Sequence, residues 1–365
     1  MTRIACTKCG QDYPTDRIPF QCGCGGAFDY VEFPDYSTDL INESNFGMMK
    51  YEALFGVKPV GNWITLGEGN TPLLPTKIAG TEIFCKMESH NPTGSYKDRG
   101  SVVLVNWLSS RGVTYAVEDS SGNAGASFAG YCARAGIKAK VFVPESASGP
   151  KRMQIERYGA ELVRVPGPRS EAAKAVLQAA NDGAVYASHA WMPFGLTGIA
   201  SIAYEIVEQL GKVPGTVVAP VGHGGLLYGM MRGFESMARA GFIHQEPYYL
   251  GVQSSGCAPV SAAYGKQSSV ITEVPLSDTA AEGVKVDRPV RGGAILERML
   301  AGKGRMIAID DPSLMESWHG SARQGFYMEP TSALVWAAIK QNAGDFKTPV
   351  VAVITGSGYK STILT

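Results

Sequence analysis

The segment Asn91-Pro-Thr-Gly-Ser-Tyr-Lys97-Asp-Arg-Gly100 is a turn that leads into a helix with a lysine in its first turn. The positive end of a helix dipole disfavours an ammonium there, which favours a neutral amine able to attack a carbonyl. Taken alone, the segment reads equally well as a solvated surface lysine beside Asp98. Ser120-Ser121-Gly-Asn123-Ala124-Gly-Ala-Ser127 follows a strand and opens a helix. Its hydroxyls, the Asn123 amide and the free N–H groups of the helix start can hold a carboxylate or a ring oxygen, or simply cap the helix. Gly222-His223-Gly224-Gly225-Leu226 is a strand-to-helix turn of the sort whose backbone N–H groups cradle a phosphate. It lacks the Lys-Ser/Thr ending of a P-loop and does not complete a Gly-x-Gly-x-x-Gly fingerprint. Thr355-Gly-Ser-Gly-Tyr-Lys360 offers a hydroxyl at the end of the last strand.

Four of the seven cysteines fall within the first 24 residues, as Cys6-Thr-Lys-Cys9 and Cys22-Gly-Cys24. Two pairs on glycine-rich turns have nearly the spacing of a zinc ribbon, although the second pair is one residue short. Structural zinc, a ribbon without metal and a disulfide all stay open, the last disfavoured in a reducing compartment. Cys85, Cys132 and Cys257 read as small buried apolar residues.

Positioning these groups requires the elements around them. From Glu82 onward, short β-rich runs (83–86, 115–118, 139–143, 162–165, 216–219, 248–252 and 350–354) alternate with helical stretches (101–111, 125–135, 169–181, 198–210, 226–239 and 332–341). This βαβ grammar predicts an α/β protein with mostly parallel open sheets, whose ligands bind where glycines follow the strands. The stretch 57–75 reads as a connection. The domains expected are a zinc-ribbon-like module over 1–32, a larger phosphate-binding domain over 33–90 and 202–365, and a smaller domain over 91–201 carrying Lys97.

Composition narrows the partners. The 365 residues hold 33 basic and 33 acidic side chains, with no long basic run, so neither a nucleic-acid backbone nor an anionic membrane surface is an expected partner. The 44 glycines, about 12% against an average near 7%, have no Gly-X-Y period and point to tight turns and close backbone approaches. Without a signal-peptide layout or an eighteen-residue apolar run, a cytoplasmic protein acting on a small molecule is expected.

Taken together and in order, the blocks Gly67-Glu-Gly-Asn-Thr-Pro-Leu73, 91–100, 120–123, 222–226, Glu329-Pro-Thr-Ser-Ala333 and 355–358 resemble the fold-type-II pyridoxal-phosphate enzymes, most closely their threonine-synthase-like branch. The resemblance covers about residues 65 to 360 and implies two doubly wound open-sheet domains of the tryptophan-synthase-β-like kind, with the cofactor between them. It implies that Lys97 forms a Schiff base with pyridoxal phosphate and moves the α-proton, while Asn123 bonds the ring oxygen. Gly222, His223, Gly224, Gly225 and Leu226 would hold the cofactor phosphate, and Thr355 would meet the pyridine nitrogen as a neutral hydroxyl. Ser120 and Ser121 would receive the substrate carboxylate, with Ala124 beside them. The cysteine module, with Cys6, Cys9, Cys22 and Cys24 as zinc ligands, is also found in short relatives of this branch. A homodimer is implied as well.

The chain departs from that branch at three places. Ala124 stands where a threonine is usual, and Gly195 where an arginine usually meets a substrate phosphate; Ala281-Glu-Gly-Val284 is more similar to the dehydratases. His189 could contribute to phosphate recognition or simply pack beside Trp191. The activity implied is elimination or replacement at the β or γ carbon of an amino acid. Threonine synthase is the best single reading, with a β-replacing synthase resembling cysteate synthase, a serine/threonine dehydratase, or remotely a non-catalytic binding protein as alternatives. If the phosphate site is lost, Gly195→Arg is expected to improve use of a phosphorylated substrate.

Overall fold

The computed structural model describes residues 2–147 and 149–361. In chain order the strands are β1 (Ile4–Cys6), β2 (Phe28–Tyr30), β3 (Leu73–Ile78), β4 (Thr81–Lys86), β5 (Tyr115–Glu118), β6 (Lys138–Pro144), β7 (Glu161–Val165), β8 (Val185–Tyr186), β9 (Thr216–Pro220), β10 (Tyr248–Ser254), β11 (Gly304–Ile309) and β12 (Val350–Val353). The helices are α1 (Lys97–Ser110), α2 (Asn123–Ala135), α3 (Pro150–Arg157), α4 (Arg169–Asn181), α5 (Gly195–Leu210), α6 (Gly225–Arg239), α7 (Pro259–Gly265), α8 (Gly292–Arg298), α9 (Asp311–Arg323) and α10 (Pro330–Gln341).

By their contacts the described residues divide into two compact units, 2–69 with 97–199, and 70–96 with 200–361. In the first, β7-β6-β5-β8 form a parallel sheet, and β1 and β2 pair antiparallel with Ala5 opposite Asp29. In the second, the sheet order is β11-β10-β9-β12-β4-β3, parallel throughout except for β3 against β4. Every residue of β9 and of β12 is buried, as expected for β-branched central strands covered on both faces. β3 lies at the edge, where Pro75 removes no ladder bond that the sheet needs. The core of this unit sets Val218, Val252, Val350 and Ala352 against Leu334, Val335 and Ala338 of α10.

The contact grouping differs from the expected one at residues 33–69, which join the unit of Lys97, and at 91–96 and 200–201, which join the other unit. Long-range hydrogen bonds account for the first. Thr197 Oγ1 donates to the Phe55 carbonyl at 2.9 Å, the Asn106 side chain bonds both N–H and C=O of Ile64 at 2.9 and 2.8 Å, and Tyr131 donates to the buried Glu68 at 2.5 Å. The stretch 57–75 is also not all connection, since β3 begins at Leu73. No helix among the described residues is long and apolar enough to cross a membrane.

Candidate active site

Lys97 is the first residue of α1 and is partly exposed, whereas the next two residues are fully buried. Asp98 accepts a hydrogen bond from Ser127 Oγ at 2.6 Å, and Ser127 also reaches Ser101 at 2.8 Å, which pins α1 to α2. The lysine therefore projects from a fixed helix start. Asn123 is the first residue of α2, and the turn from Asp119 to Gly122 joins it to β5. Ser120 is buried and its Oγ accepts from the Gly122 N–H at 3.2 Å, while Ser121 and Asn123 are partly exposed and Ala124 is buried. A Cβ at Gly125 would lie 1.8 Å from the Ser120 carbonyl oxygen, so only glycine lets the helix start this close behind the turn.

Glu118, the last residue of β5, was missed by the sequence reading. Its carboxylate is fully buried, accepts from the N–H groups of Asp119 and of Ser120, the latter at 2.9 Å, and is hydrogen-bonded to His189 Nδ1, which donates in the tautomer protonated there. His189 is thus an ionisable partner of a carboxylate. Burial raises the Glu118 carboxyl, against the pull of its backbone donors and of the Lys97 charge. Burial and the Lys97 charge hold His189 well below its ordinary value, so the imidazole is neutral near pH 7. The only sequence signal was an acidic residue closing an otherwise apolar buried strand.

Asp119 carries a testable consequence. Burial, and secondly the charge of Glu118, push its carboxyl up from 3.8 to about 6, while Tyr186 donates to it at 2.8 Å. The folded state binds this proton more tightly than the unfolded state. The resulting stability is complete below about pH 4 and is lost as pH rises through about 6, a span worth about 3 kcal/mol. Asp119→Asn keeps the acceptor for Tyr186 and removes the charge. It is expected to raise the thermal midpoint at pH 8 and to change it little at pH 4.5, as measured by calorimetry; equal effects at both pH values would contradict this.

At the start of α5 the chain packs backbone against backbone. A Cβ on Gly195 would meet the Gly100 Cα and carbonyl oxygen at 3.1 Å, and one on Gly198 would lie 1.9 Å from the Arg99 carbonyl oxygen. Position 195 is therefore a close approach of α5 to α1, and the side chain of Gly195→Arg requires the Gly100 backbone to give by a few tenths of an ångström. Phe194 stacks on Trp107 with centroids 3.6 Å apart.

The second unit holds the other motifs. Gly224, at φ +91°, caps α6 without any side-chain hydrogen bond, and Gly225 is the first helical residue. A Cβ would meet the Gly283 carbonyl oxygen at 2.9 Å from Gly222 and Ile295 at 2.8 Å from Gly224, whereas at Gly225 it would meet nothing within 4 Å. Beyond Gly225 there is room for a ligand at a helix N-terminus with no side-chain cap, the chemistry that suits a phosphate. The His223 carbonyl is used inward, by the Arg291 N–H at 2.9 Å, and Leu226 is buried. Thr355 is buried at the end of β12 and donates to Glu329 Oε1 at 3.0 Å, with Ser332 Oγ 2.8 Å away. The hydroxyl there is backed by a buried carboxylate, which the sequence reading did not foresee. The turn before Lys97 is tied to the same region, since Tyr96 N–H donates to the Thr355 carbonyl at 3.0 Å and Lys360 Nζ to the Thr93 carbonyl at 2.6 Å.

The four N-terminal cysteines converge. Their Sγ atoms all lie within 4.8 Å of one another, with Cys6 and Cys24 3.4 Å apart and Cys9 and Cys22 3.6 Å apart, and all four are free thiols. Gly26 makes room for them, because a Cβ there would sit 2.4 Å from Cys6 Sγ. Burial raises the Cys6 thiol, but the N–H groups of Cys9 and Lys8 and the neighbouring thiols outweigh it and draw the group down to about 6. Cys85, Cys132 and Cys257 are buried.

The structure thus gathers Lys97, Ser120, Ser121, Asn123 and Ala124 on one unit, and the glycine turn with Thr355 on the other. Known proteins are similar to this chain in sequence and in fold. The threonine synthase of Methanocaldococcus jannaschii is 33% identical over 97% of this chain and 92% of its own length, and that of Methanosarcina acetivorans is 30% identical over 93% and 87%. The L-serine ammonia-lyase of Rhizomucor miehei superposes with a TM-score of 0.69 at 20% identity, covering 80% of this chain and 94% of its own. Residues 64–356 match the model of the pyridoxal-phosphate dependent enzymes, a span that takes in the lysine, both glycine-bearing turns and Thr355, and the chain belongs to that family.

Proposed function

We propose that this chain is a threonine synthase, converting O-phosphohomoserine into threonine and phosphate. The observation that carries the reading is the 33% identity to the Methanocaldococcus jannaschii threonine synthase, which extends over nearly the full length of both chains. Bound pyridoxal phosphate supplies an electron sink for a carbanion at the amino-acid α-carbon. Lys97 would hold the cofactor, and its amine would carry the α-proton away and back. The N–H groups of Gly222 to Leu226, at the N-terminus of α6, hold the phosphate, and the open space at Gly225 supports this. Asn123 bonds the ring oxygen, and Ser120 and Ser121 receive the substrate carboxylate, with Ala124 lining the same turn. Thr355 would stand at the ring nitrogen; because its one proton goes to Glu329, its oxygen is left as an acceptor.

One observation favours a second reading. Gly195 offers no arginine and Ala124 no hydroxyl, which suits a substrate without a phosphate, as in a serine/threonine dehydratase. Incubating the cofactor-loaded protein with O-phosphohomoserine, O-phosphoserine, serine and threonine separates the readings. Phosphate and threonine from the first support threonine synthase; ammonia and a 2-oxo acid from serine or threonine support the dehydratase.

For the N-terminal module we propose a zinc ribbon. A tetrahedral ion with Zn–S bonds of about 2.3 Å needs sulfur atoms about 3.8 Å apart, close to the spacing of the four thiols. The module packs on the unit of Lys97 through Tyr13 against Trp107 and Phe194, and Phe20 against Tyr186. Cys9→Ser is expected to reduce bound zinc from about one per chain to a small fraction and to lower the thermal midpoint by several degrees. Wild-type protein that contains no zinc, and whose melting chelators leave unchanged, would contradict it. We further propose a cytoplasmic homodimer, by likeness to the family.

A further inference from the structure

The pair formed by Glu118 and His189 has no part in the reading above. A carboxylate removed from water needs compensation, and this one receives it from three donors: the N–H groups of Asp119 and Ser120, and His189 Nδ1. Two of those donors belong to the turn that begins the Ser120–Asn123 segment, so the carboxylate fixes the direction in which the turn leaves β5. The third comes from the chain between β8 and α5 and joins that segment to the turn. His189 is one-fifth exposed and Glu118 almost wholly buried.

We propose that Glu118 and His189 are positioning residues: Glu118 sets the Ser120–Asn123 turn in the conformation that receives a substrate carboxylate, and His189 holds Glu118 to that task. The inference rests on the reading of Ser120 and Ser121 as substrate contacts. The imidazole contributes an N–H donor at Nδ1. An asparagine amide can supply the same donor from nearly the same place; leucine can supply none.

The test uses the cofactor-loaded enzyme and the variants His189→Leu, His189→Asn and Glu118→Gln. Steady-state kinetics are measured with the best substrate, and hydrogen exchange with peptides spanning 116–124. His189→Leu is expected to raise KM about tenfold, the size of one lost hydrogen bond, with kcat within about threefold and faster exchange in the turn. Glu118→Gln is expected to do the same. His189→Asn is expected to return both KM and exchange to near the wild-type values. Equal loss of kcat in His189→Leu and His189→Asn would show that the imidazole takes part in the chemistry and would overturn the proposal. A raised KM with unchanged exchange would overturn the proposal alone. Faster exchange with unchanged KM would overturn the reading of the turn as a substrate site, and the proposal with it.

Discussion

Lys97→Ala is expected to give a folded, colourless protein whose turnover is at least about 10³-fold below that of the wild type. Covalent attachment and movement of the α-proton are both assigned to this one amine, and general acid–base catalysis alone is worth 10²–10⁴-fold, so the estimate is a lower bound. The fold is expected to survive. Lys97 is partly exposed at the first position of α1, where alanine is a good helix former, and the helix is anchored by the buried Asp98 and Arg99 beyond it. Absorbance of the dialysed protein, far-ultraviolet dichroism and phosphate release report the three quantities separately. A yellow variant with turnover within tenfold of wild type would assign the cofactor to another lysine.

The largest loss of stability is expected from Lys86→Met. Lys86 Nζ lies 2.6 Å from Glu205 Oε2, and both side chains are at most 1% exposed. The ammonium also donates to the Thr71 carbonyl at 2.8 Å and to Gln209 at 2.9 Å, and the second Glu205 oxygen accepts from the Asn70 N–H at 2.7 Å. The network thereby holds the Asn70-Thr71 end of the Gly67–Leu73 block. Methionine fills the volume but leaves the Glu205 carboxylate without its counter-charge, and breaking a buried pair in this way typically costs about 3–5 kcal/mol. Denaturant unfolding should show a lower midpoint with an unchanged slope, whereas Lys86→Met with Glu205→Leu should recover much of the loss. If the double variant is no more stable than the single one, the charge left by itself is not the cause.

Much of the architecture was legible because it rests on periodicity. Tyr115–Glu118 and Arg169–Asn181 occupy the residues that the pattern gave them, since each is one unbroken run bounded by clear turn residues. β3 was hidden because Pro75 inside Leu73–Ile78 argues for a turn, and only the edge position makes it acceptable. α3 was hidden for a different reason, for Ile155 is the one residue it buries and Pro150-Lys-Arg-Met has no apolar stripe. β1 and β2 are three residues each and were overshadowed by the cysteines around them.

The motif residues were legible as motifs, and their placement at strand ends and helix starts follows the βαβ grammar. What lies behind them was not. Glu118 acts through two N–H groups adjacent in sequence and a histidine 71 residues away, and Glu329 reaches Thr355 across 26 residues. Neither distance leaves a local signature. Gly195 shows the same limit from the other side, because a missing side chain reads as a lost contact in the sequence and as a close approach of two helices in the structure.

The most direct test of the account is to find the lysine that carries the cofactor. The protein is loaded with pyridoxal phosphate, reduced with borohydride so that the link becomes permanent, digested, and its peptides weighed. A single modified peptide with the added mass on Lys97 is expected. The same mass on Lys86, Lys360 or a surface lysine, or on no peptide at all, would contradict it.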